Sequence, residues 1–206
     1  YPGGPPKRPY DVTAHTLPLL MGVAVEVAED QFQAKLARTK DFNLPVQGLA
    51  ASDSDSWRKI TQAWKAGTPA WRQPQSGEFA VGNRRPAGFA PLKKPRIGLY
   101  KSFQPSMDEG WTRWILENFG WEYSSVGNGV IRAGNLKSSF DVIVFPDQNA
   151  ASIHTGFRSG AMPEEFTGGL GKEGAEALKQ FAEAGGRLVF FNDSTEYAVE
   201  RLDIKA

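Results

Sequence analysis

Asp141-Val-Ile-Val-Phe-Pro-Asp147 decides the fold. Its four central residues are all apolar and three are β-branched. A strand with no polar face is what a strand covered on both sides requires. Arg187-Leu-Val-Phe-Phe191 repeats the pattern after a helical stretch from Lys172 to Ala184. In that stretch Ala175, Leu178, Phe181 and Ala182 are read as inward, and Gly185-Gly186 closes it. Upstream, Arg96-Ile-Gly-Leu-Tyr100 is a strand and Ser106-Met-Asp-Glu109 a capping box, in which Ser106 and Glu109 satisfy free backbone N–H groups at a helix start. Trp111, Trp114, Ile115 and Phe119 recur at helical spacing and are expected to face the core. Gly120 ends that helix, and Trp121-Glu-Tyr-Ser-Ser-Val126 is the next strand. Asn192-Asp-Ser-Thr195 is expected to cap a last helix through Tyr197, Val199 and Leu202.

Strand and helix alternate, so the crossovers are right-handed and the sheet is parallel with helices on its faces. Residues 95–206 are therefore expected to form a flavodoxin-like α/β domain, with further strands either missing after the last helix or supplied by the N-terminal part. Residues 1–22 carry Pro2, Pro5, Pro6, Pro9 and Pro18 and are expected to lie extended. Residues 23–82 read as a small α/β unit. Val23-Ala-Val-Glu-Val-Ala28 and Val46-Gln-Gly-Leu-Ala-Ala51 are strand candidates, and residues 31–40 carry helix formers. Ser52 or Asp53 can cap a helix with Trp57, Ile60, Ala63 and Trp64 on one face. Ala70-Trp-Arg72 and Glu78-Phe-Ala-Val81 form a hairpin around Gln75-Ser-Gly77. Residues 83–94, rich in Pro, Gly and basic side chains, read as a linker.

Composition narrows the function classes. The 206 residues include no Cys, so the chain has no disulfide framework, no thiolate zinc site and no cysteine nucleophile. Only His15 and His154 are histidines, which excludes a three-histidine zinc site. Residues 1–94 carry 13 Lys and Arg against 8 Asp and Glu, and residues 95–206 carry 11 against 15. Opposed halves mark a boundary near residue 94, and neither has the concentrated basic face of a nucleic-acid binder. The longest apolar run, around residues 17–25, is shorter than the roughly 18–20 residues of a membrane span. Tyr1-Pro-Gly-Gly-Pro-Pro-Lys-Arg has neither an initiator Met nor a signal-peptide core, and the chain is expected to be a segment of a larger protein.

In an open parallel sheet, ligands sit beyond the carboxyl ends of the strands. Those ends carry Ser102, then Asp147 and Gln148, then Asn192 and Asp193, which are the candidate ligand-binding residues. Asp, Asn and Ser ordinarily cap helices and turns at such positions, and that is the competing reading. Ser194, Asp193 and His154 are the weak catalytic candidates. Ser194 invites comparison with a nucleophile elbow, yet Asn192 and Glu196 stand where G-x-S-x-G has glycines. Gly168-Gly-Leu-Gly-Lys-Glu-Gly174 follows no strand and reads as a mobile loop entering a helix, not a phosphate loop. Trp57, Trp64 and Trp71 are expected to be core rather than a sugar-stacking platform.

Residues 141–147, the Gly-Gly loop, the helix with Leu178 and Phe181, and Ala184-Gly-Gly-Arg-Leu-Val-Phe-Phe together resemble the class I glutamine amidotransferase-like superfamily. That resemblance implies a flavodoxin-like fold with a Cys-His-Glu triad, the Cys falling just after the strand matched by residues 187–191. Asn192-Asp193-Ser194 stand there instead, so glutaminase chemistry is expected to be lost. Arg8-Pro-Tyr-Asp-Val-Thr-Ala-His-Thr-Leu-Pro-Leu-Leu-Met-Gly22 and Pro105-Ser-Met-Asp-Glu-Gly-Trp-Thr-Arg-Trp114 resemble the region downstream of the catalytic domain in bacterial secreted zinc carboxypeptidase-like proteins. This second resemblance implies a secreted or periplasmic accessory module that binds a small polar ligand or sugar, or packs on the parent's peptidase domain. The zinc is then expected only in that peptidase domain, with no cofactor or metal in this chain. Two other functions stand beside it: a hydrolase using Asp193 or Ser194, and a carbohydrate-binding module.

Overall fold

The computed structural model describes residues 29–30, 33–35 and 49–204. The chain divides into two compact units, Tyr1–Leu92 and Lys93–Ala206. The extended segment 1–22 and the strand candidate 23–28 lie outside the described residues. Of the helical stretch 31–40, residues 33–35 are described and are irregular.

In the first unit, helix α1 (Ser54–Lys65) starts where the Asp53 carboxylate accepts the Asp55 N–H at 2.9 Å. Ile60 is fully buried from it. Strands β1 (Ala70–Arg72), β2 (Phe79–Val81) and β3 (Ala90–Leu92) make an antiparallel sheet in the order β2-β1-β3. Trp57, Trp64, Leu49 and Leu92 pack on Ile60, Ala70 and Phe79, with Trp57 against Phe79 at 4.6 Å between ring centroids. The Trp71 indole N–H donates to the Gly82 carbonyl at 2.8 Å. The hairpin turns where the Gln73 side-chain oxygen accepts the Gln75 and Ser76 N–H groups and Gly77 takes φ +77°. Of the strand expected over 46–51, residues 49–51 are described, and among them Leu49 is bridged to Phe79. Residues 83–94 are not linker throughout, because β3 lies among them with Pro91 opposite Trp71. Pro91 reads as a breaker in sequence, but an edge strand tolerates a missing N–H.

The second unit is mixed α/β, a four-stranded parallel sheet flanked by helices, consistent with a flavodoxin-like layout. Strands β4 (Ile97–Tyr100), β5 (Tyr123–Val126), β6 (Val142–Phe145) and β7 (Arg187–Phe190) lie in the order β5-β4-β6-β7. Helices α2 (Met107–Asn118), α3 (Asn128–Arg132), α4 (Leu136–Ser139), α5 (Ala150–His154), α6 (Gly171–Glu183) and α7 (Ser194–Leu202) connect or follow them. Tyr100, Val126, Ile143 and Phe145 form one core with Ile131, Leu136, Ile153, Leu170, Leu178, Phe181 and Tyr197. Every residue of β4 is buried. At Gly98 a Cβ would stand 2.9 Å from Val126 Cγ2, so only glycine lets β4 pack that closely. At the strands' amino ends, the Arg96 guanidinium and backbone N–H both bond to Asp141, and Arg96 also reaches the Ser138 and Lys137 carbonyls.

Inward assignments on two helices, α2 and α6, need correction. Trp111, Trp114 and Ile115 are exposed, while Glu109 is buried and Thr112, Arg113, Leu116 and Phe119 are half-buried. The cap sets this phase. Ser106 Oγ accepts the Glu109 N–H at 3.1 Å and donates to the Asp147 carbonyl at 3.2 Å, which turns the Glu109 side of α2 inward. In α6 Ala182 is exposed and Ala177 buried, and in α7 Val199 is exposed. No helix among the described residues is long and apolar enough to cross a membrane.

Candidate functional site at the carboxyl edge of the parallel sheet

The loops after β4, β6 and β7 bring the five ligand-binding candidates into two adjoining groups. In the first, Gln148 Nε2 donates to Ser102 Oγ at 2.9 Å, and Ser102 Oγ donates to the Gln104 carbonyl at 2.9 Å. Both side chains line a cavity of about 290 Å³ with Tyr100, Gln104, Ser106 and Glu109. In the second, Asp147 Oδ2 accepts the Asn192 side-chain amide at 2.8 Å, and its Oδ1 accepts the Asp193 backbone N–H at 3.1 Å. Asp147 therefore ties the loop after β6 to the turn after β7. It serves as a turn residue, as the ordinary reading of Asp at such a position has it.

The turn after β7 has an elbow's outline without an elbow's chemistry. Asn192 sits at its apex with φ +45°, a conformation Asn tolerates better than most residues. Ser194 is completely buried, and its hydroxyl donates to the Phe191 carbonyl at 2.7 Å and the Phe145 carbonyl at 3.2 Å. Asp193 precedes α7 as its N-cap but makes no side-chain capping bond there. His154 makes no hydrogen bond with Ser194, and its buried Nδ1 has no partner among the described residues. At the end of α5 its ring lies 6.1 Å from the Tyr197 ring, beside a separate cavity of about 310 Å³ lined by Lys172, Glu176, Lys179, Glu200 and Arg201. Burial, reinforced by the positive charges of Arg201 and Lys172, holds the His154 imidazole below its ordinary pKa.

The cavity floor continues into a buried polar chain. Tyr100 Oη donates to Asn128 Oδ1 at 2.7 Å, Asn128 Nδ2 donates to the Gly168 carbonyl at 3.1 Å, and Arg132 donates to the Gly169 carbonyl at 2.7 Å. Burial raises the Tyr100 phenol pKa, so it stays a hydrogen-bond donor across the physiological range. The Gly-rich loop expected to be mobile is held by these bonds and by the Gly168 N–H bond to the Phe157 carbonyl at 2.8 Å. A Cβ at Gly169 would stand 2.5 Å from the His154 carbonyl, which explains a glycine there. From the same loop Phe166 meets Phe103 edge-to-face at 5.5 Å beside the cavity.

Sequence reasoning missed Glu109, Gln104 and Ser106 as cavity residues. The signal for Glu109 was present but was spent on the capping box. Only the Ser106 half of that box forms, and the Glu109 carboxylate instead pairs with Arg113. Among the described residues no group of three or more His, Asp and Glu side chains is placed to hold a metal ion. The surroundings of His154, with Lys172, Lys179 and Arg201, do not fit a dication. Compared with known proteins, the chain matches no family model, no curated protein and no solved structure.

Proposed function

We propose that the chain is a ligand-binding accessory module without covalent chemistry of its own, its ligand a small polar molecule or sugar held in the cavity beside Ser102 and Gln148. The Ser194 hydroxyl carries this reading: it is buried and turned onto two main-chain carbonyls, whereas a nucleophile needs an exposed oxygen within reach of a base. The cavity lined by Ser102, Gln148 and Glu109 offers hydroxyl, amide and carboxylate groups, which suit hydrogen-bonded recognition. On this reading the domain is a class I glutamine amidotransferase-like fold that has lost its nucleophile. Its parent is a secreted or periplasmic zinc carboxypeptidase-like protein whose peptidase domain holds the zinc. The sequence resemblances support that wider assignment.

The test is a titration of the ¹⁵N-labelled chain with neutral monosaccharides and small amino acids. Shifts confined to Ser102, Gln104 and Gln148, weakened about tenfold by Gln148→Ala, as loss of one good hydrogen bond implies, are expected. Ester or glutamine hydrolysis abolished by Ser194→Ala would overturn the reading in favour of a hydrolase.

A further inference from the structure

Helix α2 carries its most apolar stripe outward. Met107, Trp111, Trp114 and Ile115 are 76%, 57%, 56% and 47% exposed, on the side of the helix opposite Glu109, Thr112, Arg113 and Leu116. Large apolar side chains grouped in this way mark an interaction surface rather than ordinary scatter. Gly110 lies between Met107 and Trp111 on the same exposed side, with open space where a Cβ would stand, so a facing surface can approach the backbone.

We infer that this stripe is the contact by which two copies of the chain associate, with their α2 helices antiparallel. The two tryptophans fit this occupant better than the alternatives. Their rings stand at 85° with centroids 6.0 Å apart, a ridge rather than the flat platform on which a sugar stacks. The charged residues of α2 are Asp108, Glu109, Arg113 and Glu117, mostly acidic, where a membrane-surface helix carries Lys and Arg. Antiparallel pairing sets Trp111 and Trp114 of one copy level with Trp114 and Trp111 of the other, and opposes the helix dipoles. At about 250 Å² for a whole Trp, the four exposed side chains offer about 500 Å² per copy. Two copies then bury about 1,000 Å², the lower bound for a specific contact, so a reversible dimer of micromolar affinity is expected.

Sedimentation velocity on the full chain, from about 1 to 200 μM, tests this, a range that brackets a micromolar equilibrium. The expected result is a concentration-dependent shift from 22.6 kDa towards twice that mass. Trp111→Ser with Trp114→Ser should remove the shift. Gly110→Arg should do so as well, with the circular dichroism of the native fold retained, because a Cβ at this exposed position meets nothing within 4 Å. Val130→Ser, which trims an exposed apolar residue on α3, should leave association unchanged. A chain that stays monomeric throughout the range overturns the inference. So does a dimer indifferent to both α2 variants, or binding to phosphatidylcholine–phosphatidylglycerol vesicles in place of self-association.

Discussion

Ser194 and Asp141 show how one side chain's partners decide its role. Ser194 Oγ bonds to two carbonyls at the end of β6 and the start of the turn, so Ser194→Ala should cost about 1 kcal/mol in chemical denaturation and leave ligand titrations unchanged. A loss of binding with stability intact would instead put Ser194 in the site. At Asp141, bonds from the Arg96 side chain and backbone N–H hold the carboxyl well below the usual carboxylate range. The unfolded chain's Asp titrates near 3.9, so it takes up a proton first as acid is added. Stability from this staple is present above about pH 4 and is lost progressively as pH falls from there. Asp141→Asn should therefore lower the melting temperature at pH 7, with the gap to the parent closing towards pH 2. A gap independent of pH would mean that the staple acts through shape alone. The polar residues at the strand ends were legible because strand ends are legible. The rotation of Ser194 was not, since it depends on a carbonyl 49 positions away.

Element boundaries in the second unit followed from apolar runs and glycine stops, and the four parallel strands stand where the pattern put them, within one or two residues. Which way α2 faces did not follow. A periodic apolar stripe says that a helix is two-sided, but not which side meets its own sheet. Here the cap chose, through the Ser106 hydroxyl shared between Glu109 N–H and the Asp147 carbonyl. Ser106→Ala should cost about 0.5–2 kcal/mol, the range for a lost N-cap. It should also speed amide exchange at Glu109 and in the loop after β6 together. Exchange accelerated at Glu109 only would show that the bond to Asp147 is incidental. The short helices α3, α4 and α5 left no signal, because five residues or fewer show barely one turn of periodicity.

At the scale of the whole chain, the change of grammar near residue 94 was visible as a shift in charge and in Pro and Gly content. Strand β3 was not, because its pairing with β1 is a long-range choice that three residues containing a proline do not announce. With two histidines and no Cys, the chain should retain well under one equivalent of zinc after dialysis against a weak chelator. A stoichiometric ion lost on His154→Ala would contradict this. The two margins of the parallel sheet differ in a way that bears on handling. One margin, β5, ends the sheet with Ser124 and Ser125, both exposed. The other, β7, ends it with Leu188, Val189 and Phe190, then Phe191 at 44% exposure. Among the described residues no strand pairs with the outer side of β7; a hydrocarbon margin of this kind is a template for fibrillar growth, and Arg187 is the one charged residue of the strand. Incubated near its melting temperature, the chain should form thioflavin-positive fibrils after a lag that seeding abolishes. Phe191→Lys keeps the backbone bond to Phe145 and places a gatekeeping charge at the end of that margin, so it should lengthen the lag several-fold.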